Sequence, residues 1–248
     1  MKNLDTYLGL CTEFYDLDKP EVPAEELSFY KEYAKQAQGP ILEPMCGTGR
    51  MFIPLMEEGF DMHGFDASLY MLEALYRKSK IKNIPPKVWQ GFLQELDQPE
   101  RYSLIIIPCG SFSLISKEDE IKLCLQKIYE HLTDDGIFVF QAENMASIPA
   151  ELGIWKGSVQ KREDDKLIIH SYFDLPLKDN VGESIHKYQL IDSNNTVKTE
   201  IEYFKVRLYE PEQLFDQLYE IGFRHIRILN SFDHNPNPDQ ITIFECSK

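Results

Sequence analysis

Residues 41–50, ILEPMCGTGR, constrain the fold more than any other stretch of the chain. Ile41 and Leu42 suit the end of a buried strand, Glu43 sets a carboxylate beside them, and Pro44 breaks the run. The glycine pair Gly47 and Gly49 then leads into MFIPLMEEG, which reads as a short helix. A strand, a glycine-rich turn and a helix in succession form the local architecture of nucleotide-cofactor pockets. The glycines let the backbone approach a ligand with no Cβ in the way. The helix start offers N–H groups that lack an intrahelical partner.

The ligand class follows from what this stretch omits. A dinucleotide site asks for G-x-G-x-x-G, whose third glycine permits close helix–strand packing. Phe52 stands where that glycine would be, and Glu43 in the incoming strand repels a pyrophosphate but attracts an amine or a sulfonium cation. Both residues disfavour a nicotinamide-dependent oxidoreductase. Asp66, in MHGFDAS, follows Gly47 by 19 residues. At that spacing an acidic residue at the next strand's end accepts hydrogen bonds from ribose hydroxyls. Together these residues point to an adenosine cofactor with a positively charged tail.

Strand-like and helix-like segments alternate around this motif. Strands are expected at 41–43, 62–66, 87–90, 104–108 and 137–140. Helices are expected at 50–58, after Ser68 as a cap, and at 118–132. The run LIIIP at 104–108 is apolar throughout, as a strand buried on both faces should be. Such alternation gives an α/β fold, a doubly wound, mostly parallel sheet with helices on both faces. A helix at 212–220 and strands at 223–229 and 240–246 bring the sheet to seven strands, with NPNPD as a loop between the last two. Ligands in such sheets lie beyond the strands' carboxyl ends, where Gly47, Asp66, Gly91, Cys109 and Glu143 all fall.

Two regions depart from the alternation. Residues 1–38 carry two helices, at 6–16 and 24–37, dense in aromatics. Between 155 and 209 the pattern becomes strand-like at 166–174, 183–191 and 196–208, separated by turn residues, which suits antiparallel hairpins rather than βαβ units. The expected organisation is an N-terminal helical segment (1–38), a core (39–152 with 209–248), and an antiparallel β insertion (153–208) lying over the acceptor side of the pocket.

Charge and cysteines narrow the function classes. The net charge of −15 leaves no basic face for a phosphate backbone, so no nucleic-acid partner is expected. The five cysteines are scattered, with no C-x-x-C pair, so neither a disulfide framework nor a metal site is expected, and a reducing, cytoplasmic setting fits. No signal-peptide layout or bilayer-length apolar run is legible, so no membrane partner is expected. The chain is read as a monomer or homodimer.

LEPMCGTGR, GFDASLYML, YSLIIIPCGSFSLI and DDGIFVF, followed by the C-terminal PEQLFDQLYEIGFRHIRI, resemble in order the motifs of class I S-adenosylmethionine-dependent methyltransferases of the small-molecule type. The resemblance implies a Rossmann-like methyltransferase fold, S-adenosylmethionine as cofactor and S-adenosylhomocysteine as product. It places Glu43, Met45, Gly47 and Gly49 around the methionine end of the cofactor and Asp66 on the ribose. Ala67 and Met71 fall against the adenine, with Gly91, Phe92 and Leu93 on its other side. Pro108 and Cys109 fall beside the transferring methyl. Tyr15, in FYDLD, resembles the tyrosine of an N-terminal lid that closes over the cofactor. One departure stands out: Phe92 occupies the place where many relatives carry an acid for the adenine amino group.

For the acceptor, Ser111, Glu143 and Asn144 follow strand ends, and His170, Tyr172, His186, Tyr188 and Tyr203 lie on the insertion. His170, Tyr172 and Asp174 share one strand face. That face either enters the pocket, where it would bind a polar acceptor with His170 as base and Tyr172 and His186 as further catalytic candidates, or is merely solvated. Methyl transfer is an in-line displacement, and a base is needed only when the acceptor arrives protonated. The expected function is methyl transfer to a small-molecule acceptor. The rivals are a protein methyltransferase with an open groove and a non-catalytic module that binds an adenosyl cofactor.

Overall fold

Helix signals and strand signals in the sequence resolve into two sheets and six helices among the residues described by the computed structural model, 4–193, 195–232 and 241–248. The expected NPNPD loop lies outside the described residues. The N-terminal part holds α1 (Gly9–Asp18) and α2 (Ala24–Gln36). The first starts three residues later than its sequence pattern, because Tyr7 adopts φ 54° and Leu8 is extended. On α2, Glu26, Tyr30 and Ala34 recur at helical spacing and form the buried face.

The core alternates as expected: β1 (Ile41–Pro44), α3 (Phe52–Glu57), β2 (Met62–Asp66), α4 (Leu69–Lys82), β3 (Lys87–Gln90), β4 (Tyr102–Ile107), α5 (Glu118–His131) and β5 (Leu132–Glu143). The Ser68 hydroxyl caps α4 by accepting the Met71 N–H at 3.3 Å, and Asn83 ends it in the left-handed region at φ 57°. On β4, Leu104 to Ile107 are each at most 1 % exposed, so the strand is buried on both faces. The Asp134-Asp135-Gly136 turn belongs to β5 as an irregularity, since Tyr102 pairs with Leu132 but Leu104 with Ile137.

The insertion contains β6 (Trp155–Lys161), β7 (Leu167–Asp174), β8 (Val181–Asp192) and β9 (Asn195–Arg207), an antiparallel sheet in that order. The first strand is additional to the sequence expectation. Its inward residues Lys156, Ser158 and Gln160 are polar and show no apolar alternation, and Gln160 donates to Asp18 of α1 at 3.0 Å. The inner face of this sheet packs on α1 through Ile168 and Tyr188 against Leu10, Cys11 and Phe14.

The chain returns to the core as α6 (Pro211–Ile221), β10 (Arg224–Leu229) and β11 (Ile241–Ser247). The main sheet runs β10-β11-β5-β4-β1-β2-β3. All its pairings are parallel except those of β11, which runs antiparallel to both β5 and β10. The strand order therefore reverses at β1, and the crevice opens beyond the carboxyl ends of β1 and β4. No described helix is long and apolar enough to cross a membrane.

Candidate active site

At that crevice a cavity of about 910 Å³ is lined by loops following β1 to β5, by α1 with the residues preceding it, and by the last part of β9. From the first two loops come Glu43, Met45, Gly47, Asp66, Ala67 and Met71. Gly91, Phe92 and Leu93 follow β3, and Pro108, Cys109 and Ser111 follow β4. Tyr15 lines it from α1 and Glu143 from the end of β5.

Two carboxylates define one end. Asp66 accepts the Gly47 N–H on Oδ2 and the Ser68 N–H on Oδ1, each at 2.8 Å. Burial pushes its carboxyl up to about 6, against the pull of those N–H groups. Glu43 is buried at 2 % exposure, and its Oε2 has no hydrogen-bond partner among the described residues. Burial, then the charges of Asp66 and Glu26, push its carboxyl well above the ordinary range, with Arg50 opposing. A buried carboxylate oxygen without a partner is costly. A cationic ligand group in the adjoining cavity would answer it, so these residues fit a cofactor with an ammonium and a sulfonium.

The glycines divide in role. At Gly47, φ is 55° and a Cβ would find nothing nearer than the Met71 sulfur at 4.0 Å, so its Cα faces open cavity. Gly49 corrects an expectation. A Cβ there would sit 2.9 Å from Leu75 and 3.0 Å from Ile53, so this glycine permits helix packing and does not line the cavity. At Gly91 the nearest neighbour of such a Cβ would be the Trp89 ring at 3.5 Å. Gln90 donates to the Ala67 carbonyl at 3.1 Å and so fixes the loop on that side.

A network the sequence reading overlooked lies behind the other wall. Gln141 Nε2 donates to Glu26 Oε1 at 2.7 Å and lies 3.1 Å from the Tyr30 hydroxyl. Glu26 Oε1 also accepts the Cys109 N–H at 3.2 Å. Arg50 reaches Cys109 Sγ at 2.9 Å, and its guanidinium lies 5.5 Å from the Tyr15 ring centroid. Tyr15 is thereby held at the cavity wall by a cation–π contact. A legible signal existed for Glu26: it shares the buried stripe of Tyr30 and Ala34, where a carboxylate needs a partner.

Toward the insertion, Glu143 crosses in front of Gly110, whose Cβ would stand 2.7 Å from Glu143 Oε1. Burial raises the Glu143 carboxyl, while Ser147 and Lys19 oppose. Leu114 and Ile115, with Tyr203, Phe204, Lys205 and Val206 of β9, complete this end. Of the insertion candidates, Tyr203 is the one brought to the cavity.

Four other expectations are corrected. Asn144 does not line the cavity. Its Oδ1 accepts the Ala146 N–H at 2.8 Å and its Nδ2 donates to Thr242 at 3.3 Å, a turn-capping role. His170, Tyr172 and His186 stack on one another on the inner face of the insertion, toward α1. His170 Nε2 lies 2.9 Å from His186 Nδ1, and His186 Nε2 lies 2.8 Å from Ser184 Oγ. Burial, then His170, lowers the His186 pKa to about 4, so it stays neutral. None of the three lines the cavity, which removes them as bases. Among the described residues no group of three or more His, Cys, Asp or Glu side chains could hold a metal ion.

Topology and pocket define a doubly wound α/β protein with a ligand site at the strand-order switch. Residues 41–136 match the family model described as a methyltransferase domain. A protein of Geobacillus sp. (strain WCH70) that carries a provisional methyltransferase name is 26 % identical over 220 residues, covering 88 % of this chain and 87 % of that one. Among solved structures, the sugar N-methyltransferase KedS8 from Streptoalloteichus sp. shares the fold with a TM-score of 0.77 at 16 % identity, covering 100 % of this chain and 97 % of that one. The amino pentose methyltransferase CalS10 from Micromonospora echinaspora, bound to S-adenosylmethionine, gives a TM-score of 0.69 at 12 % identity, with 99 % of each covered. Residues 41–136 thus match a methyltransferase domain, and the chain over most of its length is similar to methyltransferases, among them one that binds S-adenosylmethionine.

Proposed function

We propose that the chain methylates an amine nitrogen of a small polar molecule and releases S-adenosylhomocysteine. The observation that carries the cofactor assignment is the partnerless buried oxygen of Glu43 beside the open space over Gly47. In this reading Glu43 receives the amino-acid end, near Met45 and Gly47, and Asp66 accepts the ribose hydroxyls through lone pairs its backbone partners leave free. Ala67, Met71, Gly91, Phe92 and Leu93 enclose the adenine by packing and backbone contact, without an acidic residue. When bound, the cofactor supplies a methyl group activated by its sulfonium.

The remaining cavity supports a small acceptor. Its acceptor end is roofed by β9, and the whole cavity, cofactor end included, measures about 910 Å³, within the range of small-molecule sites, roughly 300–1,000 Å³. Glu143 offers a half-buried carboxylate beside Cys109 and Ser111, able to accept an N–H and point the nitrogen lone pair away from itself. Its raised affinity for a proton suits it to take one from an ammonium before attack. Tyr15 and Pro108 exclude water from the transfer zone. By their names the two structural relatives are a sugar N-methyltransferase and an amino pentose methyltransferase, which supports the choice of nitrogen.

Calorimetric titration with S-adenosylhomocysteine, with NAD as control, tests the cofactor reading. Micromolar binding of the first and none of the second is expected. A methyl-transfer screen that pairs amino sugars with their hydroxyl counterparts then tests the acceptor, and turnover of the hydroxyl compounds alone would overturn the amine assignment.

A further inference from the structure

The N-terminal segment is fastened to the insertion by side chains nearly 200 residues away. The N-cap of α1, Leu8, has no side-chain acceptor for the first helical N–H groups. Glu202 and Glu200 of β9 supply it. Glu202 is fully buried and accepts the Tyr7 N–H at 2.6 Å and the Leu8 N–H at 3.2 Å. Glu200 accepts the Leu10 N–H at 2.6 Å and pairs with Lys198 at 2.6 Å. Carboxylates at this position also complement the helix dipole.

The same contacts hold residues 4–7 across the pocket. Leu4 to Tyr7 line the cavity, and the Tyr7 carbonyl accepts the Ser68 hydroxyl at 2.7 Å, one turn from Asp66 and Ala67. Tyr7 sits at φ 54°, a left-handed conformation that a tyrosine keeps only when surrounding contacts impose it. Those contacts are Glu202 on its N–H, Ser68 on its carbonyl and the Phe204 ring, 5.1 Å away at 86°. Directly after Glu202, Tyr203 to Val206 line the other end of the cavity.

We propose that Glu202, aided by Glu200, is a positioning residue that latches residues 4–10 over the cofactor end, so that closure there depends on the strand that walls the acceptor end. Residues 4–7 are thus a strap fixed at Tyr7, whose carbonyl is held to the core by Ser68 and whose N–H is held to the insertion by Glu202. A ligand that orders Tyr203 to Val206 tightens the strap, and bound cofactor beneath the strap orders β9 in return, as linkage requires. The proposal rests on the reading of this cavity as the S-adenosylmethionine site.

The test uses the full chain with Glu202→Ala, Glu202→Gln and Glu200→Ala. Amide hydrogen exchange of residues 4–12 is followed in the free protein, and S-adenosylhomocysteine binding is measured by calorimetry. For Glu202→Ala, exchange at Tyr7 and Leu8 should rise at least about tenfold while the β1 and β4 amides keep their protection, and affinity should fall about tenfold through faster dissociation. Glu202→Gln keeps one acceptor oxygen and should recover part of both effects. Glu200→Ala should loosen Leu10 chiefly. Unchanged exchange at Tyr7 and Leu8 in Glu202→Ala overturns the latch. Faster exchange with unchanged affinity overturns its role at the cofactor end. A uniform loss of protection across β1 and β4 also overturns it, since the residue then supports the whole fold. Failure of the wild type to bind S-adenosylhomocysteine instead strikes the reading of the cavity, and the exchange measurement still judges the latch.

Discussion

The two sheets of this molecule present residues to the cavity in different ways. The main sheet is covered on both faces, and its strands are apolar: Leu104 to Ile107 are essentially inaccessible. What it offers the ligand comes from strand ends, largely as backbone: Gly47, Ala67, Gly91 and Cys109. The insertion covers one face with α1 and leaves Trp155, Val159, Ile201 and Tyr203 of the other more than half exposed. What it contributes is side chains, namely Glu202 on the strap and Phe204 at the acceptor end. Positions set by topology hardly move when a neighbour changes. Positions set by side-chain pairing move with each partner.

That contrast can be broken or sharpened by substitution. The largest effect is expected for Gly47→Val, which fills the open space over the glycine with a branched side chain and strains φ 55°. S-Adenosylhomocysteine binding should be lost by calorimetry with the fold retained by circular dichroism. Asp66→Ala should weaken binding by about 1–3 kcal/mol, the scale for losing hydrogen bonds to a charged acceptor. Unchanged affinity would remove the ribose assignment.

At the acceptor end, Gly110→Ala should push the Glu143 carboxylate aside. Turnover should then fall about tenfold while cofactor affinity changes less than about threefold, since the displaced group acts on the acceptor nitrogen, orienting it and taking its proton, and does not hold the cofactor. Equal losses in both would mean that the two ends are not separable.

A pH effect belongs to the insertion. Burial raises the Glu202 carboxyl from 4.5 to about 7, and the Tyr7 and Leu8 N–H groups, with Cys11 nearby, resist the shift while Glu200 adds to it. Between those values the folded chain holds a proton that the unfolded chain has lost, so stability falls as pH rises through the window. In denaturant titrations the wild type should lose about 1–3 kcal/mol more than Glu202→Gln between about pH 4.5 and pH 7. Identical slopes would place the titration elsewhere. The smallest effect is expected for His186→Phe, which should leave methyl transfer within about twofold, because this histidine packs on His170 and Phe204 and does not line the cavity.

The core was legible because its constraints are local. Continuous apolar runs and glycine turns announce a buried parallel strand and its exit loop, and β2 and β3 match their expected bounds residue for residue. The place of Asp66 at the cavity, at the end of β2, agrees with the spacing read from the sequence. The histidines misled because alternation shows which residues share a face but not where that face points: here it points to Phe14 of α1. β6 was missed because its inward side meets polar groups of the same helix. Glu200 and Glu202 look like surface acids in sequence, and Glu26 shows only its place on the stripe of Tyr30 and Ala34. Their partners, Cys109 with Gln141, Leu10, and Tyr7 with Leu8, lie 83 to 195 residues away.

The chain has two tryptophans, and the architecture separates them. Trp89 stands beside Gly91 with its ring 5.3 Å from Phe65, on the cofactor side of the main sheet. Trp155 stands on the open face of the insertion, 57 % exposed. Intrinsic fluorescence of the unlabelled protein therefore has two resolvable sources, a half-buried emitter beside the Gly91 loop of the cavity and a red-shifted one that iodide can quench. Each half of the molecule carries its own optical reporter, and substituting either indole isolates the signal of the other.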